Sequence, residues 1–205
     1  MRLNGYICLI LSLVFAACQE HAAVNEDHEH THEQMPQSAE EVDLEMSLYQ
    51  VSSQWTNQNG DVQSLGSLAG HVQLVVMTYT MCEFSCPLIV ADLKKLQASL
   101  SDEIGFTLVS IDPERDTPAR LRAYAKKMNL RPEQWTLLNG EPDDILELAA
   151  LLGVRFQRSS GSDFAHSNMI SVLDEYGRII YQQKGLGNDL VEETEAFVRH
   201  YLGEG

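Results

Sequence analysis

The chain has 205 residues, room for one ordinary domain and a tail but not for two comfortable domains. A hydrophobic fraction of 44% is enough to bury a core, which excludes disorder throughout. The net charge of −16, from 14 Lys and Arg against 30 Asp and Glu, argues against nucleic acid or an anionic lipid surface as partner, since both need clustered bases.

That charge is unevenly spread. After Arg2 no Lys or Arg occurs until Lys94, while residues 19–92 hold 12 acids; residues 93–205 hold 13 bases and 18 acids, near balance. A globular domain is therefore expected behind an acidic N-terminal region.

Residues 1–17 read as a secretory signal peptide: Arg2, then the apolar run Ile7–Phe15, then the small pair Ala16-Ala17. The apolar run falls short of the roughly 20 residues a membrane-spanning helix needs. Phe15-Ala16-Ala17-Cys18 resembles a bacterial lipoprotein processing site, with Phe15 where Leu is usual. On that reading Cys18 becomes the lipid-modified first residue of an exported chain held on a membrane, facing the bacterial periplasm or cell surface. The plainer alternative is secretion with cleavage nearby and Cys18 an incidental thiol. Either way Cys8 leaves with the signal.

Residues 18–46 follow as a tether. Nine acids, four His, no base and few bulky apolar groups within 19–46 cannot offset the entropy of ordering, so the segment is expected to be disordered. About 28 such residues reach roughly 30 Å, enough to hold a domain clear of a membrane. His28-Glu29-His30-Thr31-His32 within it is either a loose metal-gathering tract or solvated polar chain.

The domain is expected over residues 47–205. Leu48, Tyr49, Val51 and Trp55, followed by the turn signal Asn57-Gln58-Asn59-Gly60, predict a small hairpin ahead of the main fold. His71–Met77 has the β-branched apolar pattern of a central buried strand. Leu88, Ile89, Leu93 and Leu96 recur at helical spacing, Phe106–Ile111 predicts a second strand, and residues 118–128 a basic amphipathic helix. Trp135–Leu138 is a short strand, and Ile145–Leu152 a helix stopped at Gly153. Met169–Leu173 and Arg178–Tyr181 flank Asp174-Glu175-Tyr176-Gly177 as a hairpin, and a last helix covers about 188–202. A βαβ start and a ββα end imply an α/β fold, a central mixed β-sheet flanked by helices, in a thioredoxin-like layout with an N-terminal β-hairpin extension.

With Cys8 removed and Cys18 lipidated, Cys82 and Cys86 are the remaining thiols. In an oxidising compartment they could form a structural disulfide, do redox chemistry or bind a soft metal. Pro87 is tolerated only in a first helical turn, so a helix is expected to begin at about Pro87, with Cys82 in the preceding loop and Cys86 at the helix mouth. Free amides and the helix dipole there favour thiolate. Three residues separate the cysteines where a thioredoxin-type pair has two. The wider loop can close a disulfide or turn both sulfurs to one ion, and an additional imidazole would complete a soft set suited to Cu(I), whereas zinc ordinarily takes a fourth ligand. His166, just before the Met169–Leu173 strand, is the candidate by fold analogy. Taken alone, a histidine there is an ordinary loop residue. His71 and His200 are competing imidazoles with a structural look. Met81 and Met169 flank the site, with core filling as their expected job.

Three blocks together resemble the Sco/SenC family of copper-binding, thioredoxin-like assembly factors for cytochrome c oxidase. They are Tyr79-Thr80-Met81-Cys82-Glu83-Phe84-Ser85-Cys86-Pro87, Val109-Ser110-Ile111-Asp112-Pro113-Glu114-Arg115-Asp116-Thr117-Pro118, and Phe164-Ala165-His166-Ser167 with Leu173-Asp174-Glu175-Tyr176-Gly177. The resemblance spans about residues 50–202. It implies that Cys82, Cys86 and His166 bind a copper ion and that Cys82 and Cys86 also cycle through a reversible disulfide. The family commonly has Pro-Asp-Val between the cysteines, where this chain has Glu83-Phe84-Ser85. For the middle block the residues themselves suggest a strand exit and an N-cap, Thr117 before Pro118, with partner docking by Asp116 and Arg115 as the alternative.

The expected function is then copper delivery to the dinuclear site of cytochrome c oxidase, with the copper-bearing subunit or another copper acceptor as partner. The rival is an enzyme, a thiol–disulfide reductase that needs only Cys82 and Cys86 and leaves His166 to tune them. Peroxide reduction lacks a proline ahead of the thiol, and a purely structural Cys82–Cys86 staple would close too short a loop to stabilise much.

Overall fold

The computed structural model describes residues 47–159 and 163–204. The expected signal with Cys8, the lipidation site Cys18, and the tether with His28, His30 and His32 lie outside the described residues. A 3₁₀ turn at Leu48–Gln50 leads to β1 (Trp55–Asn57) and β2 (Val62–Gln63), then a second 3₁₀ turn at Leu65–Leu68. There follow β3 (Gln73–Thr78), α1 (Ser85–Ser99), β4 (Gly105–Ser110), α2 (Pro118–Lys127), β5 (Trp135–Gly140) and α3 (Pro142–Leu151). The chain continues through β6 (Phe156–Arg158), β7 (Phe164–His166), β8 (Met169–Leu173), β9 (Ile179–Lys184) and α4 (Asn188–Tyr201).

Seven strands form one mixed sheet in the order β2-β1-β5-β4-β3-β8-β9. β3 runs parallel to β4 and antiparallel to β8, and β5 is parallel to β4 and antiparallel to β1. Because successive strand residues face opposite sides, β3 feeds two cores. Leu74 and Val76 pack with Ile89, Val90, Leu93 and Leu96 of α1, Leu121 of α2 and Leu190 and Val198 of α4. Val75 and Met77 pack on the other face with Trp55, Leu138 and Ile145, Leu148 and Ala149 of α3. All six β3 residues are buried, which explains why its middle, residues 74–77, reads as a continuous apolar run. The mixed sheet with helices on both faces is the architecture the element order implies.

Three local readings need correction. α1 starts at Ser85, not at Pro87, so Cys86 lies within the first turn. Amides of the first turn lack intrahelical partners, so Pro87 forfeits no bond two residues further in. Leu88 is 56% exposed, because the buried face of α1 is set by Ile89, Val90, Leu93 and Leu96. Finally, the segment before β8 is not plain loop: β6 and β7 pair antiparallel as a separate ribbon, with Phe156 opposite His166 and Arg158 opposite Phe164. Each strand has three residues, too few for a period to register in sequence.

At the sheet's other end, Asp174 shapes the β8–β9 turn by accepting from the backbone N–H of Tyr176 at 3.0 Å and of Arg178 at 2.9 Å. Gly177 adopts φ +86°, and a Cβ there would lie 2.5 Å from the Tyr49 ring, so two constraints demand glycine.

Candidate metal centre

The cysteines sit where β3 hands over to α1. The connecting loop is held from beneath by Asp116, a fully buried carboxylate. It accepts from the Thr80 backbone N–H at 3.0 Å, from the Thr80 hydroxyl, and from Ser110 Oγ at 2.7 Å. Buried in this way, Asp116 has no surface to offer a partner, and the docking alternative for it is withdrawn. Thr117 caps α2, accepting from Arg120 N–H, with Pro118 opening the helix. The loop ends with the Cys86 N–H donating to Cys82 Sγ at 3.3 Å. Phe84, the residue at the cap position, makes no side-chain cap.

His166 arrives on β7. Tyr79, three residues ahead of Cys82, donates its hydroxyl to Asp163 Oδ1 at 3.0 Å and accepts the Phe164 N–H at 3.3 Å. Its ring meets Phe164 and His166 edge-on, with centroids 5.2 and 5.8 Å away. The opposite strand is held too: Arg158 lies over the Phe164 ring at 4.9 Å and reaches Glu114 at 3.3 Å and Asp112 at 3.8 Å. Asp112 is itself fully buried and paired to Arg115. Burial raises its carboxyl above the ordinary value against the pull of Arg115. The two acids of the middle block thus anchor the two halves of the site, Asp116 the cysteine loop and Asp112 the histidine ribbon.

Together these supports bring ligand atoms of Cys82, Cys86 and His166 within 4.8 Å of one another. Among the described residues this is the only group of three or more His, Cys, Asp or Glu so arranged. His166 Nε2 stands 3.5 Å from Cys86 Sγ and 3.2 Å from Ser85 Oγ, and Ser85 Oγ is 3.5 Å from Cys82 Sγ. Both thiols are free. Two sulfurs and one imidazole are a donor set that fits a soft cation of low coordination number.

The sulfurs differ. Burial pushes the half-exposed Cys82 thiol up, but donors from Ser85, the Cys86 and Phe84 amides and His166 outweigh it, bringing its pKa from 9.0 down to about 6. Cys86 is fully buried, and burial raises it well above the ordinary value, against the lowering contact from the Tyr79 backbone and with the Cys82 charge adding to the rise. Cys82 is the available thiolate and Cys86 the protected partner.

Other sequence candidates separate cleanly. His71 and His200 are exposed and outside the group. Met169 is buried core, as expected, whereas Met81 is 40% exposed and touches Arg120 through its sulfur. Core filling is therefore wrong for Met81. The roles of Tyr79 and Ser85 went unread in sequence, although a hydroxyl between two cysteines is itself a signal.

Fold and site together define a thioredoxin-like domain with a Cys₂His cluster at the mouth of its first long helix. The SCO1/SenC family model matches residues 43–199, and the chain belongs to that family. It is 30% identical over 150 residues to the SCO1 protein homolog of Bacillus subtilis, covering 68% of this chain and 78% of that one. Among solved structures, Bradyrhizobium japonicum ScoI with copper bound superposes with TM-score 0.62 at 26% identity, covering 73% of this chain and 96% of the other. BsSco, described as having a disulfide switch and as a member of the Sco family of cytochrome c oxidase assembly proteins, gives TM-score 0.63 at 27% identity over 71% and 88% of the two chains.

Proposed function

We propose that this protein is an extracytoplasmic copper chaperone that delivers copper to the dinuclear site of cytochrome c oxidase. Cys82, Cys86 and His166 hold the ion as cargo, and a lipid on Cys18 keeps the domain at the membrane. The carrying observation is the convergence of the three ligand atoms within 4.8 Å, in a family one of whose solved relatives has copper bound. Transfer proceeds by ligand exchange. An acceptor thiolate bonds to the ion as Cys82 Sγ, the more exposed sulfur, leaves it, and the remaining ligands follow in turn. Three ligands leave room for the incoming one. Met81, Phe84 and Leu88, all within six residues of Cys82 in sequence and 40%, 80% and 56% exposed, offer apolar surface suited to a protein acceptor.

The test is competition for Cu(I) between the reduced protein and a chelator of known affinity. Wild type binds one equivalent, and His166→Ala loosens it severalfold or more. Equal affinity in the two proteins defeats the carrier reading.

A second reading, thiol–disulfide reduction, is favoured by the inequality of the two sulfurs. The Cys82 thiolate attacks an acceptor disulfide, one acceptor thiolate leaves, and Cys86, deprotonated as it reacts, displaces the second from Cys82. The acceptor gains two electrons, the protein is left as the Cys82–Cys86 disulfide, and an external dithiol restores it. Turnover by metal-free protein, undiminished in His166→Ala, selects this reading.

A further inference from the structure

A serine at the start of a helix ordinarily caps it, but Ser85 does not. The cap position of α1 belongs to Phe84, no side chain caps it, and the Cys86 amide is already taken by Cys82 Sγ at 3.3 Å. The Ser85 hydroxyl turns instead into the site, 3.5 Å from Cys82 Sγ and 3.2 Å from His166 Nε2. It touches one ligand from the helix and one from the ribbon, 81 positions apart from the latter.

The other edge of the imidazole makes this contact matter. A metal-binding histidine usually has its far nitrogen held by a carboxylate, carbonyl or water, which fixes the ring's rotation. Here Nδ1 is buried without a hydrogen-bond partner among the described residues. The ring is steadied by the edge of Tyr79 at 5.8 Å, which resists tilting but has no directional bond to set the angle about Cβ–Cγ. Directional contacts reach the ring from Ser85 Oγ at 3.2 Å, from Cys86 Sγ at 3.5 Å and from the Cys82 thiol, none of them at Nδ1.

We propose that Ser85 is the positioning residue of the centre: its hydroxyl spans Cys82 and His166 and keeps the imidazole aimed at the sulfurs before the ion arrives. One hydroxyl offers a single proton and two lone pairs, so it serves both neighbours at once, donating to one and accepting from the other. On loading it yields Nε2 to the ion and keeps Cys82. This chain thereby orients its histidine from the ligand side, a task an aliphatic residue between the cysteines could not perform. The inference rests on the copper-site reading for its consequence, but not for the orientation itself.

Two measurements test it. In reduced, metal-free protein, the His166 ring nitrogens are followed by proton–nitrogen correlation NMR. Ser85→Ala shifts the Nε2 resonance toward that of a freely hydrated imidazole, and Ser85→Thr, which keeps the hydroxyl, restores it. An unchanged ring spectrum in Ser85→Ala overturns the proposal whatever the metal does. In Cu(I) competition, Ser85→Ala weakens binding about three- to tenfold, the scale of one hydrogen bond, and Ser85→Thr stays within about twofold. In a His166→Ala background the same substitution costs about as much, because the contact that survives loading is the one to Cys82 and not the one to the ring. Unchanged affinity in Ser85→Ala would mean that the hydroxyl gives Cys82 no support, and overturns the proposal that it spans the two ligands. If wild type fails to hold copper while the ring spectrum responds as expected, the carrier reading fails and the orienting role stands.

Discussion

Tyr79 and Asp163 meet hydroxyl to carboxylate at 3.0 Å across 84 positions of sequence, each three residues ahead of a ligand, Cys82 for one and His166 for the other. The same hydroxyl receives the Phe164 N–H, so a single oxygen couples the cysteine loop to the ribbon carrying the imidazole.

Tyr79→Phe keeps the ring and removes that coupling. Two groups lose their partner, so a cost of about 1–2 kcal/mol is expected, a fall in melting midpoint of roughly 2–8 °C. The Cu(I) affinity should fall severalfold while one equivalent still binds. Calorimetry and chelator competition check the two; full affinity with lowered stability would show that the ribbon needs no strut.

The thiols should titrate apart. With Cys82 lowered to about 6 and Cys86 raised by burial, alkylation of reduced, metal-free protein is expected to label Cys82 with a rate that climbs through about pH 6 and levels off above it. Cys86 stays unlabelled beyond pH 9. The stability consequences run oppositely. Cys82 ionises more easily folded than unfolded, so its contribution is complete above about pH 9 and is lost as pH falls through about 6. Cys86 ionises less easily folded, so its contribution holds below about pH 9 and declines above. Peptide mapping of the label at each pH reads the order; labelling of Cys86 first would reverse the assignment of exposed and protected sulfur.

Much of this was legible in the residues. The β3 run and the spacing of Ile89, Leu93 and Leu96 specify a strand and a helix because their periods are set by burial on one side or both. Cys82 and Cys86 stand out by side-chain chemistry alone, whereas only fold analogy and the family resemblance single out His166 among the imidazoles. What the sequence could not supply is proximity. Nothing local says that Tyr79 reaches Asp163, or that Arg158 reaches Asp112; those contacts arise from the crossing of β3, β4 and the ribbon. Leu88 and Met81 mislead for the converse reason: an apolar side chain can face outward, and its type alone does not say that it fills a core.

Asp116 provides a check on that long-range scaffold. Asp116→Ala strands the Thr80 amide, the Thr80 hydroxyl and Ser110 Oγ around a buried void. The expected loss is roughly 2–4 kcal/mol, with Cu(I) affinity falling as the Cys82 loop loosens. Denaturant titration measures the first. A variant of native stability that fails only to engage an acceptor would return Asp116 to the docking role its burial argues against.

Gly140 isolates fold from site. It sits opposite Trp55 in the β1–β5 pairing, and the indole lies across it so closely that a Cβ would come within 2.7 Å of the ring. Trp55 is fully buried and cannot swing away, so Gly140→Ala forces the sheet or the indole to shift, a cost of about 1–3 kcal/mol. β1 and β5 lie on the far side of β4 from β8, and neither carries a ligand. The denaturant midpoint should therefore drop at unchanged slope while Cu(I) affinity stays within about twofold of wild type. Combined with His166→Ala, the losses should add, since the residues share no partner. A loss of metal affinity in Gly140→Ala alone would mean that the cluster's geometry is transmitted through the whole sheet and not set by the loop and ribbon that carry it.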